Sequence, residues 1–87
     1  MKIIYTSKFE REYKKLPLLI KKSAEEKEKI FLANPFDSKL KTRKLHGKFK
    51  EFWSFSVDYK FRIVFEISKE NKEIFYFHSI SNHDIYK

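Results

Sequence analysis

The feature that most constrains this chain is the alternation from Tyr59 to Ile67. Tyr59, Phe61, Ile63, Phe65 and Ile67 fall on one side, and Lys60, Arg62, Val64 and Glu66 on the other. A period of two belongs to a β-strand and not to a helix. The first set is the core face. A strand that is apolar on one face needs paired neighbours and a layer to cover that face, and the rest of the chain must supply both. The pattern also puts Arg62 on the opposite, less apolar face.

Two more segments read as strands beside it. In Phe49–Val57, one face shows Phe49, Glu51, Trp53, Phe55 and Val57, and the other Lys50, Phe52, Ser54 and Ser56. Asp58 marks a tight turn into the Tyr59–Ile67 strand. Lys69–Lys72 (KENK) is a second turn, and Glu73–Ile80 is the last strand. His78 shares the parity of Ile74, Tyr76 and Ile80, which reads as a core histidine with a hydrogen-bond partner. Residues 81–87 leave the sheet.

The N-terminal half supplies the cover. Lys2–Thr6 is a short β-rich run. Ser7 with Glu10 three residues on forms a capping-box pattern, and Phe9, Tyr13 and Leu16 then share a helical face. Pro17 ends that helix or opens the next, which runs from Leu18 to Ala33. Ile20, Ala24 and Phe31 form its inner face, broadened by Leu19, Ile30 and Leu32. Asn34-Pro35 stops it. The element order is β-α-α-β-β-β. This is an α+β fold, with a helical hairpin on one face of a mostly antiparallel four-stranded sheet. The 87 residues make one domain, residues 1–87.

Charge gives the first functional direction. The formal net charge is +8. Residues 39–50 carry six Lys or Arg and no acid, whereas EEKEK at residues 25–29 mixes the signs. A mixed run suits a solvated helix face; a one-sign run beside aromatics suits phosphate. There is no Cys, which removes disulfides, thiolate metal sites and a cysteine nucleophile. The three His residues lack metal-site spacing, so neither a metal nor another cofactor is expected. No apolar run nears the roughly 20 residues of a membrane span. The expectation is a soluble, cytoplasmic protein with no membrane partner.

The ordered set Met1-Lys2-Ile3-Ile4-Tyr5, Lys44-Leu45-His46-Gly47, Phe52-Trp53-Ser54, Phe61-Arg62-Ile63-Val64-Phe65 and Asn82-His83-Asp84-Ile85-Tyr86 resembles the RelE/ParE superfamily of type II toxins. Within it, the likeness is to the RelE-like and YoeB-like mRNA interferases. The resemblance spans the whole chain and implies a RelE-like fold. It also implies a small toxin, neutralised by a cognate acidic antitoxin in a hetero-oligomer, that cuts mRNA in the ribosomal A site. RNA cleavage without a metal needs a base for the 2′-hydroxyl, positive charge for the pentavalent phosphate and an acid for the leaving 5′-oxygen. By the resemblance, Arg62, His83 and Tyr86 are the catalytic positions. Arg62 matches the strand arginine; His83 is suited to proton transfer, and Tyr86 to stacking or orienting the phosphate. Lys44, His46, Lys48, Lys50 and Lys60 are the candidate RNA contacts. The chain departs from the family where some relatives place lysines, since those positions here are Trp53 and Phe55; Glu51 and His46 lie nearby. Two alternatives share the fold: a ParE-like toxin that inhibits gyrase, and a relic that only binds its antitoxin.

Overall fold

The structure is a computed structural model, and it describes residues 1–82. The order is β1 (Lys2–Tyr5), α1 (Ser7–Lys14), α2 (Leu18–Ala33), β2 (Arg43–Lys44), β3 (Trp53–Ser56), β4 (Phe61–Ile67) and β5 (Ile74–Asn82). Single 3₁₀ turns, Ser38–Leu40 and Gly47–Phe49, flank β2. The expected α+β architecture is present, with five strands rather than four. The extra strand is β2, two residues inside the basic connection that pair with β3. Its Arg and Lys are both exposed, and a short charged edge strand of this kind resists edge-to-edge association.

The sheet order is β1-β5-β4-β3-β2. The β5-β4-β3-β2 ladder is antiparallel, and β1 joins β5 in parallel. Strand β4 is therefore central, as its alternation requires. Ile63 and Phe65 are fully buried on one face. Both helices cover that face. Phe31 of α2 is completely buried among Phe55, Phe65, Phe75 and Phe77, with ring centroids 4.9–5.3 Å away. Such edge-to-face and offset contacts let a small domain hold a dense core.

Helix α1 is capped one residue earlier than the sequence suggested. Thr6, not Ser7, is the N-cap, and its Oγ1 accepts from the Phe9 amide at 3.2 Å. The same hydroxyl donates to the His78 carbonyl at 3.2 Å, so one side chain starts the helix and ties it to β5. Beyond the end of β1, Glu12 continues this tie: its Oε1 accepts from Ser79 Oγ at 2.7 Å and from the Ile80 amide at 3.0 Å. In α2, Ala24 and Phe31 are buried and Ile20 and Ile30 pack against the core, but Leu19 and Leu32 are exposed. The apolar stripe is narrower than the count of apolar residues suggested.

Three strand limits also differ. Phe49 belongs to a 3₁₀ turn and Tyr59 to the β3–β4 turn, while β5 keeps Ser81 and Asn82 in the sheet. Asp58 sets that turn as expected, accepting from the amides of Lys60 and Phe61 at 2.8 and 2.7 Å. His78 is not a core residue. Phe65 pairs with Phe77 and Val64 with Ser79, so His78 is the additional residue of a β-bulge. The bulge changes the strand's parity: Tyr76 and His78 lie half-exposed on the face away from Phe75 and Phe77, while Ile80 returns to the core. No described helix is long and apolar enough to cross a membrane.

Candidate nucleic-acid interface

The sheet face away from the helices begins with Arg62. Its cross-strand partners are Ser56 on β3 and Ser81 on β5. The guanidinium is half-buried and lies against β3. Nε donates to Ser54 Oγ at 3.0 Å, and Nη2 donates to the carbonyls of Lys41 (2.9 Å) and Ser54 (3.3 Å). Lys41 holds its carbonyl there from a left-handed backbone (φ 52°) that closes the 3₁₀ turn before β2. These bonds leave Nη1 unpaired among the described residues.

Arg62 has no carboxylate partner among the described residues. Among the described residues, the charge that acts on it is a second cation. Arg43 pairs across the ladder with Ser54, which places it on the same face. Burial pushes the Arg62 guanidinium below its ordinary value, and the charge of Arg43 pushes it the same way. An arginine stays protonated regardless, so the result is a concentrated positive potential. Beside it, Ser81 Oγ is buried and has no hydrogen-bond partner among the described residues. A buried hydroxyl left unpaired is costly. Two guanidinium groups with no carboxylate partner among the described residues, one of them with an Nη1 that none of those residues occupies, suit an anion.

The other expected contacts are spread around this centre. Lys60 is exposed in the β3–β4 turn, two residues before Arg62, with Nζ 5.9 Å from the Tyr59 ring centroid. Lys44 pairs across from Trp53, on the opposite parity to Arg43, and its Nζ lies 5.5 Å from the indole centroid. Trp53 itself packs toward the core and against Phe36, so it does not share the Arg62 face. His46, Lys48 and Lys50 are exposed around the Gly47–Phe49 turn. That turn enters β3 at Trp53, opposite Phe65, three residues from Arg62 along β4 or about 10 Å. Glu51 lies at this end too. A 3.2 Å contact with Lys69 holds its carboxyl below the usual carboxylate range. The structure thus brings Lys60 near Arg62 and sets the Lys48–Lys50 turn at the other end of the same sheet. His83 and Tyr86 lie outside the described residues.

Sequence reasoning passed over Arg43, Lys41, Ser54 and Ser81. Arg43 was visible only as one member of the basic run. Ser54 had the right parity to sit beside Arg62, but serine on a strand carries no signal of its own. The contact with Lys41 spans 21 positions and needed the fold to reveal it.

No protein-family model matches the sequence, and no curated protein matches it. Solved structures do match over nearly the whole chain. A YoeB/ParE toxin from Agrobacterium tumefaciens superposes with a TM-score of 0.77 at 18% identity, covering 95% of this chain and 99% of that one. YafQ from E. coli strain BL21(DE3) gives 0.72 at 14% identity, over 97% of this chain and 94% of its own. In the archaeal RelE–RelB complex from Pyrococcus horikoshii OT3, the matching chain gives 0.73 at 13% identity, over 93% and 92%. The fold of this chain is that of the RelE, YoeB/ParE and YafQ toxins.

Proposed function

We propose that this protein is the toxin of a type II toxin–antitoxin pair and acts as a ribosome-dependent mRNA endonuclease. The observation that carries the reading is the Arg62 site: a half-buried guanidinium with a second arginine beside it and no carboxylate on it among the described residues. In this reading Arg62 and Arg43 hold the oxygens of the scissile phosphate, and Ser54 and the Lys41 carbonyl fix the guanidinium. The 2′-oxygen attacks phosphorus and the bond to the 5′-oxygen breaks, leaving a 2′,3′-cyclic phosphate and a 5′-hydroxyl. A base takes the 2′-hydroxyl proton and an acid returns one to the 5′-oxygen. His83 is the residue proposed for proton transfer, with Tyr86 stacking on a base or orienting the phosphate. Lys44, His46, Lys48, Lys50 and Lys60 are the proposed RNA contacts, acting on phosphates of the A-site mRNA.

An acidic antitoxin is the proposed protein partner. The +8 charge supports it, and so does the RelE relative, which is solved as a complex with RelB. Such a partner would cover the basic face and fold on binding. Primer extension on mRNA translated in vitro tests the reading: cleavage within codons, dependent on ribosomes, is the expected result. The YoeB/ParE relative keeps gyrase inhibition as the second reading, and a supercoiling assay with purified gyrase separates the two.

A further inference from the structure

Away from Arg62, the same sheet face carries a row of aromatic rings. The Phe52 and His78 centroids lie 4.9 Å apart with planes inclined by 31°. Tyr76 follows on one side, 6.2 Å from His78 at 28°, and Phe49 on the other, 6.3 Å from Phe52 at 32°. All four side chains are half-exposed, and neither helix packs over them. The row is tied down at its centre, where His78 Nε2 meets Glu66 Oε1 at 2.9 Å. Glu66 pairs across from Tyr76 and uses only one carboxylate oxygen in this contact.

Half-exposed rings on a sheet, here inclined by about 30° to one another, offer apolar surface on which flat rings stack. The charge around them is positive: Lys48 and Lys50 are exposed at this end, and the Arg62–Arg43 site lies on the same face. Glu66 and Tyr76 stand four residues along β4 from Arg62, a span of about 13 Å. We infer that Phe52, His78 and Tyr76 form a stacking platform for bases of single-stranded RNA whose backbone runs to Arg62. The Glu66 oxygen that has no partner among the described residues adds a preference, because a carboxylate accepts from the exocyclic amino group of cytosine, whereas the uracil N3–H is flanked by two carbonyl oxygens that repel it. The platform therefore favours cytosine over uracil, two bases of similar stacking area. The inference rests on the RNA reading of this face and adds a binding subsite that the cleavage step does not require.

The test is equilibrium binding of short fluorescent oligocytidine and oligouridine to the free protein, without ribosomes, at low salt. Native protein should bind oligocytidine more tightly. Phe52→Leu and His78→Gln should each weaken binding about tenfold, in the range for losing one stacked base. Glu66→Gln should narrow the difference between the two oligonucleotides, since an amide both donates and accepts. Circular dichroism establishes that each variant is folded, and His78→Gln, at a half-exposed position, serves if Phe52→Leu is not. If native protein binds and Arg62→Ala weakens it while the platform variants leave it unchanged, the platform is overturned and the nuclease reading stands. If stacking and the cytosine preference appear but translated mRNA is not cut, the platform stands and the nuclease reading falls. If folded native protein binds neither oligonucleotide, the platform is overturned.

Discussion

Arg62 donates from Nε to Ser54 Oγ at 3.0 Å, across the β3–β4 ladder, and this bond sets the direction in which the guanidinium faces. Hydrogen bonds to charged groups contribute about 1.5–3 kcal/mol, so the orientation they impose is worth at least a tenfold effect. Ser54→Ala should therefore lower mRNA cleavage by roughly tenfold or more. Unchanged cleavage by a folded Ser54→Ala protein would remove Ser54 from the site.

Phe31 is fully buried, with four phenylalanine rings around it. Truncating such a residue costs about 3–5 kcal/mol, which is a large part of a small domain's stability. Phe31→Ala should shift the urea midpoint sharply downward and abolish activity although it touches nothing on the Arg62 face. A small shift would mean that the core repacks around the gap.

Lys41 adopts a left-handed backbone at φ 52°, which a side chain disfavours and glycine accepts freely. Only its carbonyl reaches Arg62, and glycine retains that group. Lys41→Gly should leave cleavage intact and raise stability by about 0.5–1 kcal/mol, the relief of roughly 1–2 kcal/mol of left-handed strain less the roughly 0.5–1 kcal/mol of chain entropy that a glycine costs. Loss of cleavage in that variant would show that the Lys41 side chain, and not its carbonyl, matters.

Much of the fold could be read from the sequence, and the reasons are local. The alternation of β4, the proline between the helices and Asn34-Pro35 each act over a few residues, and each placed its element correctly. The bulge at His78 could not be read, because period-two counting assumes an unbroken strand and one additional residue reverses it. Strand β2 was equally hidden: two charged residues show no periodicity, and only pairing with Ser54 and Trp53 makes them a strand. The site divided in the same way. Arg62 was legible from parity, whereas Arg43, Lys41 and Ser81 reach it through pairing and long-range contacts that no window along the chain contains.

The last residue of β1 gives a pH test of the fold. Tyr5 donates its phenolic hydrogen to Glu28 Oε2. Burial, and then the Glu28 hydrogen bond and charge, push the Tyr5 pKa well above its ordinary value of 10.0. The folded state thus favours the neutral phenol. Its contribution is fully present below about pH 10 and is lost as pH rises from there toward the folded pKa, because only the unfolded chain ionises in that window. Urea midpoints measured across this range should fall with pH for the native protein and fall less for Tyr5→Phe. Parallel curves would assign the alkaline loss to other groups.

The most direct measurement is primer extension on mRNA translated in vitro with native protein and with Arg62→Ala, each first shown to be folded. Native protein should cut within codons only when ribosomes are present. Arg62→Ala should cut at least about a hundredfold more slowly, as expected when a charge that stabilises the phosphoryl transition state is removed. Equal cleavage by Arg62→Ala, or no cleavage by native protein that nonetheless blocks gyrase, would contradict the account.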